Sequence, residues 1–257
     1  MEPLIPTPSS RASSAQSPKP LAQCRSWLFV PGHDPARLDQ ALDSGAEAII
    51  VDLEEFTPAA DRRQACDDFV AFAERCRQHQ RLPMARINPL TQGGKGELAA
   101  LMRARPAAIF LPQVESSMDI VLLALALARE ERRVGLEQGC TALIPTLESA
   151  AGVGAAAEIL KASPRVNAAL LGSGDLSRDL GIAADAEPGE RASVLAPWRQ
   201  RFVDACAKAE CLAIDGPWPY REGFEQDLEW AMARGFRARC VVLPEHIAPL
   251  HRALTDA

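Results

Sequence analysis

Leu143-Ile-Pro-Thr-Leu-Glu148 and, one unit later, Leu170-Leu-Gly-Ser-Gly-Asp175 decide how this chain reads. Each is a short apolar run that breaks off into polar residues and carries a carboxylate where the run ends. A continuous apolar run, with no polar residue on alternate positions, is the pattern of a parallel strand covered on both faces. In an α/β barrel such strand ends form the rim on which active sites are built. Two carboxylates on neighbouring strand ends make a hard, oxygen-rich site suited to Mg²⁺ or Mn²⁺.

Working outward, the same pattern recurs. Further strand runs are Trp27–Val30, Ala48–Leu53, Met84–Asn88, Ala108–Leu111, Leu212–Ile214 and Cys240–Leu243, with the pair above read as Ala142–Leu147 and Ala168–Leu171. Between them lie amphipathic stretches. Asp61 to Gln78, for example, carries Phe69, Val70 and Phe72 on one side and charges on the other. Eight strand–helix units predict a (β/α)₈ TIM barrel, an α/β fold, as a single domain over 25–257. The rival, an open doubly wound sheet, lacks its dinucleotide fingerprint, because Val30-Pro-Gly-His33 holds one Gly and a Pro.

The net charge of -6 argues against a nucleic-acid surface. No apolar stretch approaches the roughly 20 residues that span a bilayer. The 7 cysteines are odd in number, with no Cys-x-x-Cys pair, and read as free thiols of a reducing, cytoplasmic compartment. Residues 1–24 are rich in Pro, Ser and Ala without hydrophobic period. They read as a disordered tail, without the apolar core of a secretory signal.

The other strand ends are also polar: Asp52-Leu-Glu54-Glu55, Arg86-Ile-Asn88, Pro112-Gln113-Val-Glu115 and Asp215-Gly-Pro217. Any one of these carboxylates could cap a helix or face solvent. Arg86 is different, since an Arg within an apolar strand needs an anionic partner. That partner is either a structural carboxylate such as Glu54 or the carboxylate of a substrate.

Taken in order, Arg25-Ser-Trp-Leu-Phe-Val-Pro-Gly32, Val51-Asp-Leu-Glu-Glu55, Arg86-Ile-Asn88, Leu111-Pro-Gln-Val-Glu-Ser116, Ile144-Pro-Thr-Leu-Glu-Ser149, Gly172-Ser-Gly-Asp-Leu176, Asp215-Gly-Pro217 and Gly235-Phe236 resemble the HpcH/HpaI aldolase/citrate lyase family, and within it citrate lyase β-subunit-like proteins. The resemblance runs from Arg25 to about Leu250. It implies a TIM barrel, often a homo-oligomer (a trimer or hexamer), with Mg²⁺ at the strand ends. It places the metal on Glu148 and Asp175 and the substrate carboxylate on Arg86, with Arg25 as a second substrate-binding Arg. It implies a carbon–carbon lyase that cleaves a small hydroxy acid or its acyl thioester, such as a CoA thioester, to release oxaloacetate, pyruvate or glyoxylate. Glu148 would then touch substrate through the metal. Asp52 or Glu54 would act as general base or orient Arg86, a metal-bound hydroxide being the other candidate base. An acyl-CoA thioester hydrolase and a non-catalytic ligand-binding member are the alternatives. The chain departs from the family pattern at Gln113 (usually Lys), Ala151 (usually Arg), Glu55 (usually Asp) and Leu243 (usually His).

Overall fold

A computed structural model describes residues 20–255. Eight strands form a closed barrel in sequence order, every neighbouring pair parallel: β1 Ser26–Pro31, β2 Ala48–Asp52, β3 Leu82–Arg86, β4 Ala108–Leu111, β5 Ala142–Leu147, β6 Ala168–Leu171, β7 Leu212–Asp215 and β8 Ala238–Val241. Closure is made by β8 on β1, with Trp27 opposite Cys240. The helices are α1 Pro35–Asp43, α2 Arg62–Gln78, α3 Lys95–Leu101, α4 Ser117–Arg133, α5 Ala150–Gly154, α6 Ala156–Ile159, α7 Ser173–Asp179, α8 Pro188–Lys208, α9 Phe224–Ala233 and α10 Ile247–Thr255. The expected (β/α)₈ barrel is the fold observed.

Alternation along each strand divides the core in two. Trp27, Phe29, Ile50, Met84, Phe110, Ile144, Leu170, Ile214 and Cys240 fill the barrel interior. There Phe110 meets Trp27 and Phe29 edge-on at 6.0 and 5.5 Å between centroids. Leu28, Ile49, Val51, Ile109, Leu143, Leu147 and Leu171 point the other way and pack under the helices.

Helix starts are set by local chemistry. The Asp34 carboxylate accepts from Arg37 N at 3.1 Å, with Pro35 opening α1. Ser116 and Asp119 form a capping box on α4.

The residues expected to form a tail lie outside the described residues as far as position 19. Beyond it the expectation is corrected. Leu21–Gln23 form a 3₁₀ turn, and Cys24 is buried in the interior cluster with its carbonyl accepting from Trp27 Nε1 at 3.0 Å. Residues 21–24 therefore belong to the barrel. Among the described residues no helix is long and apolar enough to cross a membrane.

Candidate functional site

Strand alternation places the polar layer at the C-terminal mouth. On β2, Ala48 and Ile50 face inward, so Asp52 does too; on β3 Met84 faces inward, so Arg86 follows. The two are paired residues of neighbouring strands. With both side chains on one face, Arg86 grips Asp52 through two bonds, Nε to Oδ1 at 2.7 Å and Nη2 to Oδ2 at 2.6 Å. Glu55 Oε2 lies 3.3 Å from Nη2, and Glu54 Oε2 lies 3.2 Å from Nη1. Asp52 also accepts from the backbone N–H groups of Glu54 and Phe56, both at 3.0 Å, which shapes the loop after β2. The principal partner of Arg86 is thus Asp52, with Glu54 and Glu55 beside it.

Burial alone would lower the pKa of Arg86. The hydrogen bonds and charge of Asp52, with the charges of Glu54 and Glu148, outweigh it and raise the guanidinium above its ordinary value, so it stays cationic.

On β5, Ile144 and then Thr146 face inward, and Glu148 continues the series one step past the strand. Its Oε1 accepts from Gln113 N at 2.6 Å. Gln113 adopts a left-handed backbone, φ 55°, which is uncommon for a residue with a side chain. Gly172 leaves room for the carboxylate: a Cβ there would stand 2.6 Å from Glu148 Oε2. Burial pushes Glu148 up to about 7, against the opposing pull of the Gln113 N–H and Arg86. Glu54 is also raised, again by burial first, with Arg86 opposing and Asp52 adding to the shift.

Asp175 is not on a strand end. It lies in the first turn of α7, and its carboxylate is paired with Arg178 one turn along. Both Glu148 and Asp175 line a cleft of ≈ 1100 Å³, counting the space open to solvent, together with Phe29, Arg86, Thr146 and Trp218. An acidic extension holds Glu54, Glu55, Glu115 and Asp179 as well. The structure thus brings Glu148, Asp175, Arg86 and Glu54 to one mouth.

Arg25 does not join them. It precedes β1 at the opposite end of the barrel, where Nε and Nη2 hold Glu47 Oε1 at 3.2 and 2.8 Å and Nη1 meets Thr255 Oγ1 at 2.8 Å. The expectation that it binds substrate is corrected: Arg25 ties the start of β1 to the start of β2 and the end of α10.

Asp215 at the end of β7 and Arg239 within β8 point away from the barrel axis, toward α8 and α9. Arg199 meets Asp215 Oδ1 at 3.2 Å and Asp227 Oδ1 at 2.7 Å, and Arg239 also grips Asp227. This ion cluster borders the far side of the cleft. Its members are scattered in sequence, and no spacing announced it. Thr146 was missed as well. Its buried Oγ1 has no hydrogen-bond partner.

The donor set suits a divalent cation. Asp52, Glu54, Glu55 and Glu148 lie about Arg86, so this side of the mouth is rich in carboxylates, while Arg178, Arg191, Arg199 and Arg239 also line the cleft. No three His, Cys, Asp or Glu side chains among the described residues are grouped to hold a metal ion, and the expected pair of ligands is Glu148 and Asp175, which line one cleft. Mg²⁺ is commonly held by one or two carboxylates, keeping waters in its other positions. Asp175 would have to release Arg178.

Citrate lyase subunit beta of Escherichia coli K12 is 27% identical over 232 residues, covering 88% of this chain and 75% of that protein. L-malyl-CoA/β-methylmalyl-CoA lyase of Rhodobacter capsulatus is 26% identical over 268 residues, covering 94% of this chain and 82% of that protein. Both names describe lyases. The fold is shared with protein CitE of Mycobacterium tuberculosis, solved in complex with magnesium and pyruvate, at a TM-score of 0.75 and 24% identity over 91% of this chain and 92% of that one. A family model described as HpcH/HpaI aldolase/citrate lyase matches residues 25–239. The chain belongs to the HpcH/HpaI aldolase/citrate lyase family.

Proposed function

We propose that this protein is an Mg²⁺-dependent carbon–carbon lyase that cleaves a small hydroxy acid, or its acyl thioester, to release a 2-oxo acid such as pyruvate, oxaloacetate or glyoxylate. The observation that carries the reading is the crowding of four carboxylates around Arg86 at the barrel mouth, with Glu148 held near neutrality by burial. The lyase relatives supply the reaction class.

In this reading Glu148 and Asp175 hold the metal. When bound, Mg²⁺ supplies positive charge next to the oxygen that becomes the product carbonyl. Arg86, fixed by its two bonds to Asp52, would hold the substrate carboxylate on its Nη edge in place of Glu54 and Glu55, which lie 3.2 and 3.3 Å from it. Glu54 Oε2 is buried without a hydrogen bond and lies 3.2 Å from Arg86 Nη1. Its raised pKa suits a group that takes the substrate hydroxyl proton as the carbon–carbon bond breaks. Phe29 stacks under the guanidinium at 5.0 Å and keeps that side dry. The burial of six of the seven cysteines fits a reducing, cytoplasmic setting.

The pairing of Arg178 with Asp175 favours a second reading, a ligand-binding member without turnover. Magnesium-dependent assay of a panel of hydroxy acids and their CoA thioesters separates the two. Release of a 2-oxo acid supports the lyase. Free thiol without a 2-oxo acid makes it a thioester hydrolase. Tight Mg²⁺-dependent ligand binding with no product leaves the binding protein.

A further inference from the structure

Arg86, Arg178, Arg191, Arg199 and Arg239 all line the cleft. Four of these are ion-paired. Arg86 grips Asp52, Arg178 meets Asp175, and Arg199 and Arg239 share Asp215 and Asp227. Arg191, the fourth residue of α8, differs: among the described residues it meets no carboxylate.

Its guanidinium is nonetheless held in place. Nη2 donates to the carbonyls of Ala183 and Ala184, at 3.2 and 3.3 Å, in the loop between α7 and α8. Nε is buried with no hydrogen-bond partner. Buried donors are nearly always satisfied, so an orphan in the wall of a cleft calls for an acceptor from outside the chain. The nearby lining is largely apolar: Ala192 and Leu195 of α8, and Pro217 and Trp218 after β7. Walls of low polarity strengthen the pull of an unpaired cation on an anion.

We propose that Arg191 binds a second anionic group of the substrate, a carboxylate or a phosphate, distinct from the carboxylate assigned to Arg86. This rests on the substrate reading above and narrows it, because the ligand must then carry at least two negative groups. The role of Arg191 is binding and specificity; it moves no proton. Either a second carboxylate on the acid or the phosphates of a CoA thioester supplies the charge.

Calorimetric titration of the Mg²⁺-loaded full chain tests it. Pyruvate is the probe with one anionic group. Oxaloacetate, 2-oxoglutarate and 2-oxoadipate add a second carboxylate at increasing reach, and CoA supplies phosphates. Wild type is expected to bind at least one of these four about tenfold or more tightly than pyruvate. Arg191→Gln is expected to lose that margin while its pyruvate affinity stays unchanged. A margin confined to a dicarboxylate identifies the group as carboxylate, and one confined to CoA identifies it as phosphate. Should Arg191→Gln unfold, Arg191→Lys decides, since an ammonium does not reproduce the planar guanidinium and the margin is expected to shrink. If Arg191 only ties down the loop at 183–184, its loss lowers the melting temperature and leaves the margin intact or weakens all probes alike. No margin in wild type, an undiminished margin in a folded variant, or an equal loss for pyruvate would each overturn the assignment. These titrations need no turnover: failure to release a 2-oxo acid counts against the lyase, and a missing margin counts against Arg191.

Discussion

Replacing Gly172 by Ala tests how closely the structure holds Glu148. Gly172 has φ -78°, which any residue adopts, so the cost of a side chain there is steric alone. The added Cβ would lie 2.5 Å from Glu148 Cβ, 2.6 Å from Glu148 Oε2 and 3.1 Å from Thr146 Cγ2. Apolar carbons settle about 3.5–4.0 Å apart. The Oε2 contact can be relieved by rotation; the Cβ contact cannot, because Cβ is bonded to the backbone. The end of β5 and the turn into α7 must therefore part by about 1 Å. Overpacking of this kind costs roughly 1–3 kcal/mol. For a chain of this size that is a fall in melting temperature of roughly 2–12 °C. The shift also draws Glu148 off Gln113 N, so Mg²⁺ or Mn²⁺ affinity is expected to drop at least about tenfold, or roughly 1.4 kcal/mol. The control is Gly174→Ala, two residues along: nothing lies within 4 Å of its Cβ, and in a helix Ala gains about 0.5–1 kcal/mol over Gly. Calorimetric metal titration and thermal melting of both variants give the comparison. Wild-type metal affinity in a folded Gly172→Ala protein would refute the placement of Glu148 as a ligand on this turn.

Metal affinity is expected to depend on pH through Glu148. Its folded pKa, about 7, lies above the ordinary carboxylate value, so the protonated form stabilises the metal-free protein at low pH, and that stabilisation is lost as pH rises through 7. Metal binding needs the carboxylate, so affinity should rise about tenfold per pH unit below 7 and level off above it; a flat profile from pH 5.5 to about 7 would exclude Glu148. Arg86→Lys keeps the charge but loses the two-bond grip on Asp52, a loss of roughly 1.5–3 kcal/mol that should lower the melting temperature. If Arg86 also holds substrate, pyruvate affinity falls at least about tenfold, whereas normal affinity in the destabilised protein removes Arg86 from the substrate site. Thr146→Val removes a buried hydroxyl that has no partner and should raise metal-free stability by up to about 1 kcal/mol, read as a small upward shift in melting temperature; a clear fall would show that the hydroxyl is satisfied in solution.

The barrel was legible because its strands are buried on both faces and so appear as unbroken apolar runs. Ala108–Leu111, Ala142–Leu147 and Ala168–Leu171 coincide with the observed strands. β3 and β8 begin two residues before the sequence suggests, at Leu82 and Ala238. Pro83 and Arg239 interrupt those runs. Arg239 is tolerated because it points out of the barrel into the Asp215–Asp227 cluster. The α7 helix had no readable signature, since Ser173-Gly-Asp175-Leu-Ser-Arg-Asp179 offers one large apolar residue and a glycine. Asp175 therefore read as a strand end when it is a first-turn helix residue.

The site was legible in kind but not in pairing. The sequence placed carboxylates and one Arg at strand ends, which is enough to expect an ion site there. It left the partner of Arg86 open among Glu54, Asp52 and a ligand, and the answer depends on stagger. Asp52 wins because β2 and β3 pair it directly opposite Arg86, and because both positions share the inward parity of Ile50 and Met84. Stagger is a property of the closed barrel and is written in no single strand. The same reasoning removes Arg25. Its place before the first apolar run puts it at the N-terminal end of every parallel strand, a barrel's length from the carboxylates, and only the assumption that an ordered motif is also a spatial cluster brought it to the site. It also explains Arg178. A cation three residues after Asp175 is a neighbour only once that stretch is helical, and then it occupies the carboxylate a metal would take. With Arg178 there, Asp175 is held by a single charge at the surface; a divalent ion offers twice the charge beside Glu148. The exchange of Arg178 for a metal would also set a cation beside Glu148, opposing the burial that pushes its pKa up to about 7.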